Sequence, residues 1–229
     1  MKKISLLALG TAIIFASCTK KQGDNQKLDP DKNTTVTEYM STKPGSWWLF
    51  KNVENNTTKE TTRTPTGNKA TIDGFEYDLY HSVDSSTMYV TNEYFAKNED
   101  FYLTLIDLDG SQNDYVKAIV YKDNGKIGDK WTSTHQMTYS GMNFDIEITS
   151  TITGINETRT LNGKSYDSVF VTSSSLRAKS AIIPWTNCGS VEMWFRKGIG
   201  ILKTDFDISI LSVYNRQTQV ELLDYYIQK

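Results

Sequence analysis

Histidine and cysteine are nearly missing from this chain, with two of each among 229 residues. That scarcity narrows metal, redox and nucleophilic chemistry before any motif is sought. Proline is also rare, at four residues, and glycine numbers 14, too few for a low-complexity chain. No basic excess exists: 25 Lys and Arg stand against 27 Asp and Glu, for a formal net charge of −2. A nucleic-acid binder shows a clustered basic surface instead, so none is expected as a partner. What the chain does hold is 38% hydrophobic and 12% aromatic residues with mixed charge, the composition of a globular protein.

A long apolar run is missing too. The stretch from Ile4 to Phe15 follows the basic start Met1-Lys2-Lys3 and is shorter than the ~20 residues a spanning helix needs. A basic start, a short apolar region and small residues before a cut site make a secretory signal. Here the cut site reads Phe15-Ala16-Ser17-Cys18, which resembles the lipobox of bacterial lipoproteins, with Phe15 departing from the usual Leu. The resemblance implies that residues 1–17 are removed and that Cys18 carries diacylglycerol and an amino-terminal acyl chain. It places the protein in the bacterial cell envelope, lipid-anchored to a membrane, the outer membrane being the expected one. Several acyl chains, at ~0.8 kcal/mol per buried CH₂, hold a protein firmly on a bilayer. Loss of Lys2 and Lys3 leaves 23 basic residues against 27 acidic ones.

With Cys18 lipidated, Cys188 has no partner for an intramolecular disulfide. A nucleophilic Cys188 would need a histidine beside it, and only His81 and His135 exist. A structural thiol is expected. Residues 18–44 are polar, unable to bury enough apolar surface to offset ordering entropy, and read as a flexible tether. About 24 such residues span ~25–30 Å.

From residue 45 to 229 the apolar period is two. Phe144, Ile146 and Ile148 alternate with Asp145, Glu147 and Thr149; Val191, Met193 and Phe195 alternate with Glu192, Trp194 and Arg196. Such alternation marks half-buried strands. Asp73-Gly74, Asp109-Gly110, Asn124-Gly125 and Asn162-Gly163 recur as hairpin turns. The fold class is therefore all-β: an antiparallel curved sheet, β-sandwich or half-barrel of roughly a dozen strands.

A weak internal repeat runs through this domain. Thr71-Ile72-Asp73-Gly74 followed by Tyr77-Asp78 matches Thr160-Leu161-Asn162-Gly163 followed by Tyr166-Asp167. Gly45 to Trp48 parallels Gly128 to Trp131, and Tyr94 to Asn98 parallels Trp194 to Gly198. The spacing drifts, which requires insertions, one of them the stretch from Ser174 to Ser190 with Pro184 and Cys188, taken as irregular. The repeat implies two similar β-meanders, 45–127 and 128–229, packed into one domain, with Trp48 and Trp131 anchoring the shared core.

These residues also resemble a family of small envelope lipoproteins common in the Bacteroidota, most of unknown function. The shared marks are Gly45-x-x-Trp48, Gly163-x-x-Tyr166-x-x-Val169 and Phe195-Arg196-Lys197-Gly198-Ile199-Gly200-Ile201-Leu202-Lys203. They mark strands and turns, not chemistry, so the resemblance implies a curved β fold and carries over no catalytic residue.

Candidate chemistry is sparse. Asp107, Asp109, Ser111 and Asn113 place oxygens at alternate positions as in a Ca²⁺ loop, but position 118 is Ala where the bidentate Glu is expected, and a polar turn explains the same residues. Lys197-Gly198-Ile199-Gly200 has no following helix to bind phosphate. His81 and His135 lack ligands at metal spacing. Asp167-Ser168-Val169 resembles an O-glycosylation triplet of the Bacteroidota. No hydrolase motif occurs, so no enzyme and no cofactor is expected. Trp47 and Trp185 remain as candidate ligand-binding aromatics, since flat aromatic faces suit sugars or acyl chains. The function expected is a non-catalytic envelope binding or scaffold domain for a glycan or protein. The alternative is a carrier holding a lipid in a half-barrel cavity.

Overall fold

The computed structural model describes residues 33–34, 39–54, 56–72, 74–107, 115–139, 142–210 and 214–228. Cys18 and most of the calcium-like loop, including Asp109, Ser111 and Asn113, lie outside the described residues. Those residues hold thirteen strands and no helix. In chain order the strands are β1 (Asn33–Thr34), β2 (Trp47–Glu54), β3 (Thr57–Ile72), β4 (Phe75–Asp84), β5 (Val90–Asn98), β6 (Phe101–Asp107) and β7 (Tyr115–Lys122). There follow β8 (Lys130–Tyr139), β9 (Met142–Leu161), β10 (Lys164–Ser180), β11 (Ile183–Arg196), β12 (Gly200–Ile210) and β13 (Tyr214–Tyr226). Asp107 ends β6.

The period-two pattern becomes strands because one face buries. In β9 the buried positions include Phe144, Ile146, Ile148, Ser150 and Ile152, while the residues between them are half exposed. Hairpins join the strands where the turn chemistry allows. Asn162 and Gly163 both have positive φ, 51° and 76°, as a two-residue turn between β9 and β10 requires.

One antiparallel sheet results, in the order β7-β6-β5-β4-β3-β2-β13-β12-β11-β10-β9-β8, with β1 attached to β5. Each strand pairs its sequence neighbours, except that β13 pairs β2 and that β7 and β8 are the two edges. The sheet curls so that its two ends face each other through aromatic rings. Tyr121 of β7 lies 4.5 Å from Phe170 of β10 and 5.1 Å from Phe195 of β11, and Tyr102 of β6 lies 5.4 Å from Phe195, centroid to centroid. No ladder joins β7 to β8, so the sheet is curved but unclosed.

Two runs of six strands, β2–β7 and β8–β13, carry the matched motifs at corresponding places. Trp48 and Trp131 lie in the first strand of each run and are both buried. The Gly74 and Gly163 turns link the second strand to the third. Lys97 and Lys197 end or follow the fourth.

Two expectations are corrected. The stretch Ser174–Ser190 is not irregular: it continues the β10–β11 ladder, and two register shifts absorb its awkward residues. One falls beside the turn, between Ala178 and Ser180, where Pro184 escapes pairing; the other leaves Cys188 as the extra residue between Asn187 and Gly189. The packed part also begins before residue 45. Tyr39 and Met40 are fully buried, because an aromatic and an apolar side chain at the end of a polar segment find a cleft between Tyr102, Phe195 and Gly200.

Alternating strand direction gives the half-barrel two ends. The proximal end holds the start of β2, the end of β13 and the β3–β4, β5–β6, β7–β8, β9–β10 and β11–β12 connections. The distal end holds the remaining hairpin connections, including β10–β11.

Candidate binding surface

The outer face of β8–β11 at the distal end builds a polar platform with one aromatic on it. Register alone aligns its rows: Gln136 of β8 opposes Asp145 of β9, which opposes Lys179 of β10, and Glu147 of β9 opposes Arg177 of β10. Side chains follow. Lys179 Nζ lies 3.1 Å from Asp145 Oδ2, and Gln136 Nε2 donates to Asp145 Oδ1 at 3.2 Å. Arg177 donates from Nε and Nη2 to Glu147 Oε1 at 3.0 and 2.6 Å. The Asp145 carboxyl is held below its usual range by the Lys179 and Gln136 hydrogen bonds.

Trp185 of β11 completes the platform. Its ring centroid is 5.0 Å from Lys179 Nζ and 5.3 Å from Arg177 Cζ, and it stays 37% exposed. Cation–π contacts at exposed sites are worth ~0.5–1 kcal/mol each, enough to bias the ring's orientation while leaving surface free. Two acids and two bases cancel on this patch, so it suits a neutral ligand that offers hydroxyls to the charged rows and an apolar face to the ring. Ile182, at the hairpin tip beside it, is 82% exposed.

Trp47 does not join this surface. It opens β2 at the proximal end, opposite Tyr226 in the ladder, whereas Trp185 adjoins the distal β10–β11 turn. Adjacent Trp48 points inward, as alternation demands, and is fully buried. Sequence reasoning named Trp185 as a candidate but did not anticipate the rows beside it. The signal was present: alternate acids Asp145 and Glu147 face alternate bases Arg177 and Lys179 once β9 pairs β10.

A second polar cluster closes the proximal end. Asp123, just after β7, accepts from Lys97 Nζ on Oδ2 and from Lys197 Nζ on Oδ1, each at 2.7 Å, and from the Tyr39 hydroxyl. Both lysines also lie over the Tyr39 ring, at 4.9 and 4.7 Å. Lys197 is thereby committed to an ion pair, and β12, not a helix, follows Gly198.

The remaining candidates stand apart. His81 in β4 and His135 in β8 are on distant strands, and no cluster of three metal-ligating side chains occurs among the described residues. Burial pushes the His135 imidazole down to about 4. Cys188 is buried and free, its thiol pushed up to about 11 by burial, which disfavours the nucleophilic thiolate. It borders a cavity of about 80 Å³ lined by Phe144, Ala178 and Ile183; a second cavity of about 150 Å³ lies against Pro65, Gly67 and Tyr80. Ser168 is exposed at a bulge in β10, with φ of 54°.

These features define a class: an all-β antiparallel meander curled into an unclosed sheet around an aromatic interior. Solved structures of that class exist. A candidate lipoprotein from Parabacteroides distasonis ATCC 8503 superposes with a TM-score of 0.53 at 10% identity, covering 84% of this chain and 100% of that one. A candidate exported protein with a YmcC-like fold from Bacteroides fragilis NCTC 9343 superposes with a TM-score of 0.51 at 8% identity, covering 83% and 100%. At such identities the likeness is one of fold. No protein-family model and no curated protein matches the chain.

Proposed function

We propose that this chain is a lipid-anchored protein of the bacterial cell envelope, held in the outer membrane through Cys18, whose β domain is a non-catalytic binding module for a neutral glycan. The lipobox-like Phe15-Ala16-Ser17-Cys18 supports the anchor, and the lipoprotein and exported-protein descriptions of its fold relatives agree with it. One observation carries the binding reading: Trp185 stays exposed on a charge-balanced platform, its ring set against Arg177 and Lys179. A lipid carrier calls for a larger apolar cavity, above ~300 Å³. The cavities beside Cys188 and Tyr80, about 80 and 150 Å³, offer less.

Glycan-array screening of the processed chain and its Trp185→Ala variant tests the reading. Binding that falls at least about tenfold on loss of the ring is expected, in line with an aromatic contact of ~1.4 kcal/mol or more. Absence of any glycan binding, together with a lipid extracted from the purified protein, replaces it with the carrier. Mass spectrometry of the mature amino terminus tests the anchor, and cleavage elsewhere or an unmodified Cys18 overturns it.

A further inference from the structure

Of the sheet's two edges, β7 is the better guarded. It ends in Lys122, its ladder with β6 is interrupted by a register shift, and Tyr121 packs it onto Phe170 and Phe195. In contrast, β8 is long and regular. Its register with β9 runs without a shift from Lys130 opposite Thr151 to Tyr139 opposite Met142. From Trp131 to Tyr139 it holds no Pro, no Gly and no Asp, Glu, Lys or Arg. Its outward backbone groups have no strand partner among the described residues. Proteins normally blunt such an edge with charge, proline, a bulge or a cover, because free N–H and C=O groups recruit another strand. Apart from Lys130 at its start, β8 uses none of these devices among the described residues, which leaves the edge open for pairing.

We infer that β8 is a self-pairing edge, through which two copies of this chain join antiparallel into one continuous sheet. The faces fit that partner. A two-fold axis at Thr134 sets Thr134 against itself, Thr132 against Gln136 of the second copy and Ser133 against His135, so outer residues meet outer and inner meet inner. Lys130 falls opposite Thr138, and no like charges oppose, which is the condition a self-pairing edge must meet. A strand specialised for a different protein would gain specificity from complementary charge, and β8 offers only Lys130 at its start. Pairing also sets two Trp185 platforms on one sheet face, bounded at the junction by the two Gln136 side chains. The inference does not depend on what those platforms bind.

Cross-linking on membranes of cells expressing the full chain tests this. Directly opposed strand residues have Cβ atoms ~4.5–5.5 Å apart, so Thr134→Cys is expected to form a disulfide-linked dimer under mild oxidation. Thr160→Cys, exposed in the paired strand β9, serves as the control. Buried Cys188 does not compete. In detergent, Thr134→Lys places like charges across the axis and is expected to weaken association up to about fivefold, with unchanged circular dichroism. Dimer yield from Thr134→Cys no greater than from Thr160→Cys overturns the inference. A Thr134→Cys adduct with a different protein also overturns it, in favour of a foreign strand on the same edge.

Discussion

The indole Nε1 of Trp48 donates to the backbone carbonyl of Ile199 across 2.7 Å, in the buried interior, between residues 151 apart in sequence. That bond ties the start of β2 to the β11–β12 turn, and Met40 fills the space beside the same turn. Gly200 permits this approach: its φ is +107°, and a Cβ there would meet Met40 Sδ at 2.8 Å. The start of β2 and the β11–β12 turn thus lock together at the proximal end, where β13 also pairs with β2.

Trp48 can be divided by substitution. Trp48→Phe keeps most of the ring but removes the donor, and a loss of about 1–3 kcal/mol is expected from the stranded carbonyl. Trp48→Ala adds a cavity and should cost about 3–5 kcal/mol. Urea unfolding measures both; a Trp48→Phe variant as stable as the wild type would mean that the hydrogen bond contributes nothing.

Arg63 and Glu93 form an ion pair inside the sheet, with Nε 2.7 Å from Oε2 and both side chains almost fully buried. The guanidinium lies over Phe50 at 4.6 Å and Phe95 at 5.3 Å. Breaking a buried pair leaves an uncompensated charge, so Arg63→Met alone should cost about 3–5 kcal/mol. Adding Glu93→Gln should recover part of that loss. A double-mutant cycle with no coupling between the two positions would contradict the pairing.

Asp123 gives the fold an acid limit. Burial opposes its ionisation, but hydrogen bonds from Lys197, Lys97 and Tyr39 outweigh that and hold its carboxyl down to about 2, against an ordinary 3.8. A depressed acid stabilises the fold above its unfolded value, so this contribution is complete above pH 3.8 and disappears as pH falls toward 2. Partial exposure screens it to about 1 kcal/mol. Asp123→Asn should lower stability at neutral pH and flatten the curve between pH 4 and 2, as read by chemical unfolding at stepped pH.

His135 acts at higher pH. Burial lowers its imidazole from 6.5 to about 4, so the folded chain keeps it neutral while the unfolded chain takes up a proton. Stability is expected to fall as pH drops from 6.5 toward 4, by up to about 3 kcal/mol at 1.36 kcal/mol per unit. His135→Gln should remove that slope and leave the Asp123 limb below pH 4 intact. A slope between pH 6.5 and 4 that survives the substitution would assign it to other groups.

Much of this architecture was legible in the residues. The alternation of Phe144, Ile146 and Ile148 specifies a strand with one buried face, because a period of two matches only a pleated backbone. Asn162-Gly163 specifies a hairpin because both residues accept positive φ. Local chemistry determines these features, so local sequence reports them.

Contacts between distant segments were decided by the tertiary structure alone. Nothing near Tyr39 signals that Lys97 and Lys197 will both lie over its ring, and polar neighbours made it read as tether. Trp47 and Trp185 both stood as candidate aromatics, and strand direction sends them to opposite ends. The platform beneath Trp185 exists because β9 pairs β10 in a register that sets Asp145 beside Lys179 and Glu147 beside Arg177. Likewise β8 becomes an edge only because the curled sheet stops short of closing on β7. The sequence by itself determined which segments are strands and where they turn; register, curl and closure were left to long-range packing, which no short window of residues encodes.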